Sequence, residues 1–255
     1  MIDIHSHILP CVDDGAKTEQ QSLEMAKVAI DQGIHTIIAT PHHQNGAFNN
    51  FRWEIENHVE ILNDFFKREG MPLTVLPGQE TRIYGEMVDA IRQNELLPLN
   101  YGKYLFVEFP SDAVPRYTTQ LIFDIQVEGY TPIIVHPERN RALLEHPNLL
   151  YDLVSKGALS QVTAGSVVGK FGKDIQKFTA QIIEANLTHF IASDAHNTTS
   201  RSFYLQEAFE DVKKNFGSDY YYMFLENSNL LVDNNHVNRL EPMRVKKKKK
   251  FLGLF

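Results

Sequence analysis

Six times along this chain a short apolar run with β-strand character is followed at once by a histidine or an acid. The runs are Ile2-Asp3-Ile4 before His5 and His7, Thr36 to Thr40 before His42, Leu73 to Leu76 before Glu80, Leu105-Phe106-Val107 before Glu108, Ile133-Ile134-Val135 before His136, and Phe190-Ile191-Ala192 before Asp194 and His196. Strands that alternate with helices build a parallel sheet or barrel, and parallel strands all end on one face. The residues that follow them converge there. Imidazoles and carboxylates gathered without thiols or a nucleophilic serine are the donor set of a hard to borderline metal cluster.

Helical signals fill the gaps between the runs. Thr18 and Gln21 form a capping-box pattern ahead of Leu23, Met25, Ala26, Val28, Ala29 and Ile30, and Gly33 closes that element. A second helix is expected over 51–67, with Ile55, Val59, Ile61, Leu62, Phe65 and Phe66 on or near its buried side, and others over 86–93, 117–128, 148–156, 173–185 and 202–216. A seventh strand falls near Ser160 to Thr163. Seven alternations favour a closed but irregular seven-stranded α/β barrel over an open doubly wound sheet, and both put a site at the same strand ends. The polar loop Pro41 to Asn50 either lines that site or is an ordinary surface connection.

The 255 residues, 43% of them hydrophobic, suit one large domain, here expected over 1–243. No stretch reaches the ~18 apolar residues of a membrane span, and Met1 to His5 lacks the character of a signal peptide, so a cytoplasmic protein is expected. Cys11 is the only cysteine, which fits a reducing compartment. The net charge is −7, and because Arg244 and Lys246 to Lys250 contribute six positive charges, the rest stands near −13. Such a body is poorly suited to wrapping nucleic acid. The segment 244–255 joins those cations to Phe251, Leu252, Leu254 and Phe255. It reads either as a loose peripheral contact with the inner face of an anionic membrane or as a solubilising tail.

Taken singly, His42, His136 or His196 would pass for a hydrogen-bonded rim histidine. Glu80 and Glu108 are harder to dismiss, since a carboxylate ending an apolar strand is costly to desolvate without a cation or partner. In His5-Ser6-His7, an extended backbone points both rings to one side. Recurrence carries the argument, because His58, His146, His189 and His236 lie outside the pattern.

The His5-x-His7 pair, the turn Val12-Asp13-Asp14-Gly15, Pro41-His42, Glu80, Glu108, His136-Pro137-Glu138-Arg139 and Ser193-Asp194-Ala195-His196 together resemble the polymerase and histidinol phosphatase (PHP) superfamily. The resemblance is closer still to its bacterial metal-dependent protein-tyrosine phosphatases of the YwqE/CpsB type, which accompany capsule and exopolysaccharide tyrosine kinases. It implies a distorted (β/α)7 barrel with three divalent ions, manganese first and iron or zinc as alternatives. It also implies that His5, His7, Glu80 and Asp194 hold one ion, Glu80, Glu108 and His136 a second, and Asp14, His42 and His196 a third. Asp14 is preferred to Asp13 because the family pattern sets the ligand beside the glycine.

Such a centre hydrolyses a phosphate ester with a metal-activated hydroxide. Arg139, three residues after His136, and Arg201, five after His196, are placed to hold phosphate oxygens, with Arg141 a weaker candidate. A tyrosinate leaves with a parent pKa of roughly 10, so general-acid help is less critical; a metal-bound water or Asp194 fills that role if it is needed. Cys11 is an unsuitable nucleophile, since Lys17 occupies the offset where a cysteine phosphatase needs arginine. The expected partner is a phosphotyrosine protein such as a bacterial tyrosine kinase. The nearest alternative is a small phosphate monoester such as histidinol phosphate. More distant ones are an amidohydrolase, which commonly bridges its ions with a modified lysine where this chain has Glu108, and a binding module that keeps the metals for structure.

Overall fold

The computed structural model describes residues 1–246. Nine strands run as β1 (Ile2–Ser6), β2 (Thr36–Ala39), β3 (His42–His43), β4 (Thr74–Pro77), β5 (Glu80–Arg82), β6 (Tyr104–Glu108), β7 (Thr131–Val135), β8 (Leu159–Thr163) and β9 (Phe190–Ala192). All pairings are parallel, in a three-stranded sheet ordered β1-β2-β4 and a six-stranded sheet ordered β3-β5-β6-β7-β8-β9. The expected strands 36–40 and 73–76 are found as β2 and β4, and each is followed by a further short strand, β3 after Thr40-Pro41 and β5 after Gly78-Gln79. Close packing requires the glycine at the second junction: a Cβ on Gly78 would lie 2.7 Å from Ile38 and 2.8 Å from Leu99. A single parallel bridge between Ser6 and Ala195 joins the chain after β9 to β1.

Strand alternation divides the apolar residues into two layers. Ile2, Ile4, Ile38, Phe106, Ile133, Val135, Leu159 and Phe190 meet one another on the inner side of the strands. Ile37, Val75, Leu105, Val107, Ile134, Val162 and Ile191 face outward into a larger cluster with the helices.

The helices are α1 (Glu19–Asp31), α2 (Arg52–Arg68), α3 (Met87–Arg92), α4 (Thr118–Val127), α5 (Arg141–Glu145), α6 (Asn148–Val154), α7 (Ala164–Val167), α8 (Lys173–Glu184), α9 (Leu205–Phe216) and α10 (Ser218–Val232). The expected capping box of α1 is half made. Thr18 Oγ1 accepts from the Gln21 N–H (3.2 Å), but the Gln21 side chain accepts from Lys17 N–H (2.7 Å) rather than from Thr18. α10 is not expected from the sequence, because Tyr220, Tyr221 and Tyr222 favour strand over helix. Packing decides its conformation. Leu231 and Val237 enter the inner cluster, and Tyr104 donates its hydroxyl hydrogen to Asn235 O (2.5 Å). This closes the end of the strands remote from the histidines.

Arg244 pairs with Asp152 (3.4 Å) and lies over the Tyr151 ring (4.3 Å), so the first residues of the basic segment rest on α6. The rest of that segment, 247–255, lies outside the described residues. Among the described residues, no helix is long and apolar enough to cross a membrane.

Candidate metal centre

All nine expected ligands, His5, His7, Asp14, His42, Glu80, Glu108, His136, Asp194 and His196, come together at the C-terminal ends of the strands. The register of β1 against β2 slips between Asp3 and Ser6, a bulge that turns His5 inward until its ring lies 4.9 Å from that of Phe106. Glu80 is at the centre and fully buried. Its Oε1 lies 2.7 Å from His136 Nε2, and its Oε2 lies 2.8 Å from His42 Nδ1, 3.3 Å from His7 Nε2 and 3.5 Å from His5 Nε2. Asp194 Oδ1 faces the same two nitrogens, at 3.3 Å from His7 and 3.5 Å from His5. Asp14 Oδ1 lies 3.2 Å from His196 Nε2 and 3.4 Å from His42 Nε2.

Three groups each offer one donor atom per residue within 4.8 Å of one another: His5, His7 and Glu80; His42, Glu80 and Glu108; and His7, Asp14, His42 and His196. The expected sets thereby change, and the first is found without Asp194. His7 joins Asp14, His42 and His196, and His42 stands beside Glu80 and Glu108, where His136 was expected.

The donor set fits divalent cations. His5 Nε2, His7 Nε2 and His196 Nε2 are buried and make no hydrogen bond, and His42 Nδ1 and Glu80 Oε2, though 2.8 Å apart, are not aligned for one, although a buried polar atom left unpaired is costly. The opposite nitrogens are occupied. His5 Nδ1 bonds Gln161 Oε1 (2.9 Å), His7 Nδ1 bonds Asp13 Oδ2 (2.6 Å), and His196 Nδ1 bonds the Asp194 carbonyl (3.0 Å). With Nδ1–H donated to these acceptors, each Nε2 presents a lone pair to the centre.

Charge favours the same reading. Burial pushes the Glu80 carboxyl up, but His42 and His5 outweigh it and hold the group well below the usual carboxylate range. Burial, joined by the charge of Arg139, lowers His136 to about 4, and burial with His7 lowers His196 to about 4, so both rings are neutral near pH 7. Burial and the neighbouring Glu80 raise Glu108 against the pull of Arg82. Burial lowers His7 and His42, but the carboxylates of Asp13 and Glu80 outweigh it and raise both, so these two rings hold protons that a bound cation would displace.

A cavity of about 290 Å³ opens beside this cluster, lined among others by His42, Glu108, Phe109, His136, Arg139 and Arg201. Arg139 Nη2 and Arg201 Nη2 both donate to Asp194 Oδ2, at 2.5 and 3.0 Å. Their Nε atoms are buried without partners. Phe171 lies 5.5 Å from the Arg139 guanidinium and supports it. Arg141, the weaker candidate, instead pairs with Asp112 at the surface (3.4 Å). The backbone is strained where it delivers the ligands: His136 and Asp194 have φ of 35° and 51°, a region that costs a non-glycine residue about 1–3 kcal/mol. Hydrogen bonds from His136 N to Gln161 O (2.8 Å) and from Asp194 N to His5 O (2.9 Å) hold them there.

Several supporting residues escape a reading of the sequence. Asp13 is one: besides His7 it accepts from Gly15 N (2.8 Å) and His42 N (3.2 Å), so the two adjacent acids divide, with Asp13 buried as a scaffold and Asp14 more exposed beside His42 and His196. Asp3 accepts from both Ser193 N (2.9 Å) and Ser193 Oγ (2.5 Å), tying the His5 strand to the Asp194 strand. Asn50 donates to Val12 O (3.1 Å) and His42 O (2.8 Å), and Phe48 stacks on His42 with 12° between planes, so the 41–50 loop lines the site. Cys11 Sγ donates to Lys17 O (2.8 Å) and takes no part in the cluster.

The model of a family described as capsular polysaccharide synthesis, CpsB/CapC, matches residues 1–233. Tyrosine-protein phosphatase YwqE of Bacillus subtilis (strain 168) is 52% identical over 255 residues, the whole of both chains. Putative tyrosine-protein phosphatase CapC of Staphylococcus aureus is 39% identical over 254 residues, again covering 100% of each. A chain from the crystal structures of Bacillus subtilis YwqE and Streptococcus pneumoniae CpsB, described as unique metal-dependent tyrosine phosphatases, superposes with a TM-score of 0.95 and 52% identity over 97% of this chain and 100% of that one. A mutant organophosphorus hydrolase shares the fold alone, with a TM-score of 0.55 and 10% identity over 91% of this chain and 92% of its own. Full-length relatives and a family match that spans the strands, the ligands and both arginines place this chain in the CpsB/CapC family.

Proposed function

We propose that the chain is a metal-dependent protein-tyrosine phosphatase acting on phosphotyrosine proteins in capsule or exopolysaccharide control, a bacterial tyrosine kinase among them. One observation carries the reading: a cluster of unpaired histidine nitrogens and carboxylates opens into the same cavity as two arginines whose Nε–H groups lack acceptors. A phosphate ester matches both halves. His5, His7, Asp14, His42, Glu80, Glu108, His136, Asp194 and His196 are read as the ligands of three ions, manganese first. When bound, such ions supply a nucleophilic hydroxide at neutral pH and offset charge on the phosphoryl oxygens.

The protein's own residues do the rest. Arg139 and Arg201 turn their free Nε–H donors to the phosphate oxygens and orient the ester for in-line attack, while Asp194 Oδ2 holds both guanidinium groups in place. Burial would raise the Asp194 carboxyl, but Arg139 and His5 hold it well below the usual range. Asp194 is therefore ionised, which suits a ligand through Oδ1 and an anchor for both guanidinium groups through Oδ2, and it holds no proton for the leaving group. A tyrosinate leaves without a dedicated acid because its parent pKa is roughly 10.

We read the two sheets as one distorted (β/α)7 barrel, in which β2 with β3 and β4 with β5 each make one stave and the Ser6–Ala195 bridge closes the ring. Residues 1–243 form the phosphatase domain. The segment 244–255 is read as a loose contact with an anionic membrane at its cytoplasmic face; equal binding to anionic vesicles by full-length protein and a form ending at Glu241 would remove that role. The substrate assignment is tested by comparing kcat/KM for a phosphotyrosine peptide with that for histidinol phosphate. Preference for the peptide is expected, and strong preference for histidinol phosphate would overturn it.

A further inference from the structure

Arg82 is set against Glu108 by strand register. The two are Cα partners across β5 and β6, and Arg82, two residues after Glu80, emerges on the same side of its strand as that central carboxylate. The guanidinium makes a two-point fork, Nε to Oε2 at 2.9 Å and Nη2 to Oε1 at 2.9 Å. Both Glu108 oxygens are thereby engaged on the side toward Arg82. Oε2 keeps its free direction toward His42 Nδ1, 3.8 Å away, beside Glu80.

We propose that Arg82 is a positioning residue that presents Glu108 as a one-oxygen ligand to an ion held among His42, Glu80 and Glu108. The inference rests on reading Glu108 as a ligand. The fork fixes the carboxylate plane, blocks two-oxygen chelation from the Arg82 side, and offsets the repulsion between Glu108 and Glu80. Partners that orient a ligand in this way typically account for 10–100-fold in metal affinity. Lysine keeps the charge of Arg82 but cannot make two parallel bonds in one plane, so Arg82→Lys separates orientation from charge.

The test is calorimetric titration of chelator-stripped, full-length protein with manganese for wild type, Arg82→Lys and Glu108→Gln, with thermal unfolding followed in parallel. Glu108→Gln is expected to bind one ion fewer. Arg82→Lys is expected to bind the wild-type number, with one site weakened 10–100-fold and the others and Tm unchanged. If Glu108→Gln loses an ion while Arg82→Lys titrates like wild type, charge alone suffices and the positioning role is wrong. A uniform weakening of every site with a fall in Tm would make Arg82 a structural residue and overturn the proposal equally. Retention of all ions by Glu108→Gln would instead show that the ligand reading fails, and the proposal with it.

Discussion

A single methyl group added at Gly15 should disable the centre. Gly15 follows the two acids of the ligand loop and packs directly on the backbone of His7. A Cβ there would lie 2.0 Å from His7 O and 2.5 Å from His7 Cβ. Carbon atoms rest about 3.5–4.0 Å apart, so the loop and His7 must separate by at least about 1 Å. Neither side yields freely. Ala16 N donates to His7 O (3.1 Å), Gly15 N donates to Asp13 Oδ1 (2.8 Å), and Asp13 in turn holds the His7 ring. A displacement of about 1 Å at a reacting centre costs on the order of 10²-fold in rate, and overpacking costs about 1–3 kcal/mol of stability. Gly15→Ala should therefore lower kcat on a phosphotyrosine peptide about 100-fold, with metal content reduced. The control is Gly85→Ala, because a Cβ there meets nothing within 4 Å; it should behave as wild type. If Gly15→Ala keeps its ions and turns over within about twofold of wild type, the argument from close packing is wrong.

Other outcomes follow from individual contacts. Arg201→Ala removes charge-assisted hydrogen bonds to phosphate worth about 1.5–3 kcal/mol, so kcat/KM should fall roughly 10- to 100-fold with ions still bound; an unchanged kcat/KM would remove Arg201 from phosphate binding. Cys11→Ser keeps a donor for Lys17 O and should retain most activity, and its inactivation with metal content unchanged would count against a metal-based mechanism. His189 is buried, and burial followed by the charge of Arg239 lowers it to about 3. The unfolded chain takes up a proton below about pH 6.5 that the folded chain refuses until about pH 3. Stability therefore falls as pH drops through that window, by up to about 1.4 kcal/mol per pH unit. His189→Asn, which still offers an acceptor to Ser160 N, should flatten that slope in denaturant titrations.

The strand ends were legible because the centre collects its ligands where apolar runs stop, and a burst of polarity after such a run survives in one dimension. The partners of those ligands were not. Gln161 and Arg82 sit within strands, where a polar residue reads as ordinary alternation, and Asp3 meets Ser193 across 190 residues. Arg82 did leave a trace, since its spacing from Glu80 puts both on one side of the strand. The family pattern chose Asp14 over Asp13 without a physical reason; the fold supplies one, burying Asp13 under His7 and leaving Asp14 more exposed beside His42 and His196. α10 was invisible because its aromatic run favours a strand locally, and tertiary packing overrides that preference.

The central claim is that hydrolysis depends on ions held by this cluster, and the most direct test is phosphate release from a phosphotyrosine peptide by chelator-stripped protein before and after adding manganese, with bound metal counted in parallel. The account predicts no turnover in the stripped protein and restored turnover as two to three ions bind per chain. Full turnover by protein shown to be free of metal, or none by protein carrying its full complement, would contradict it.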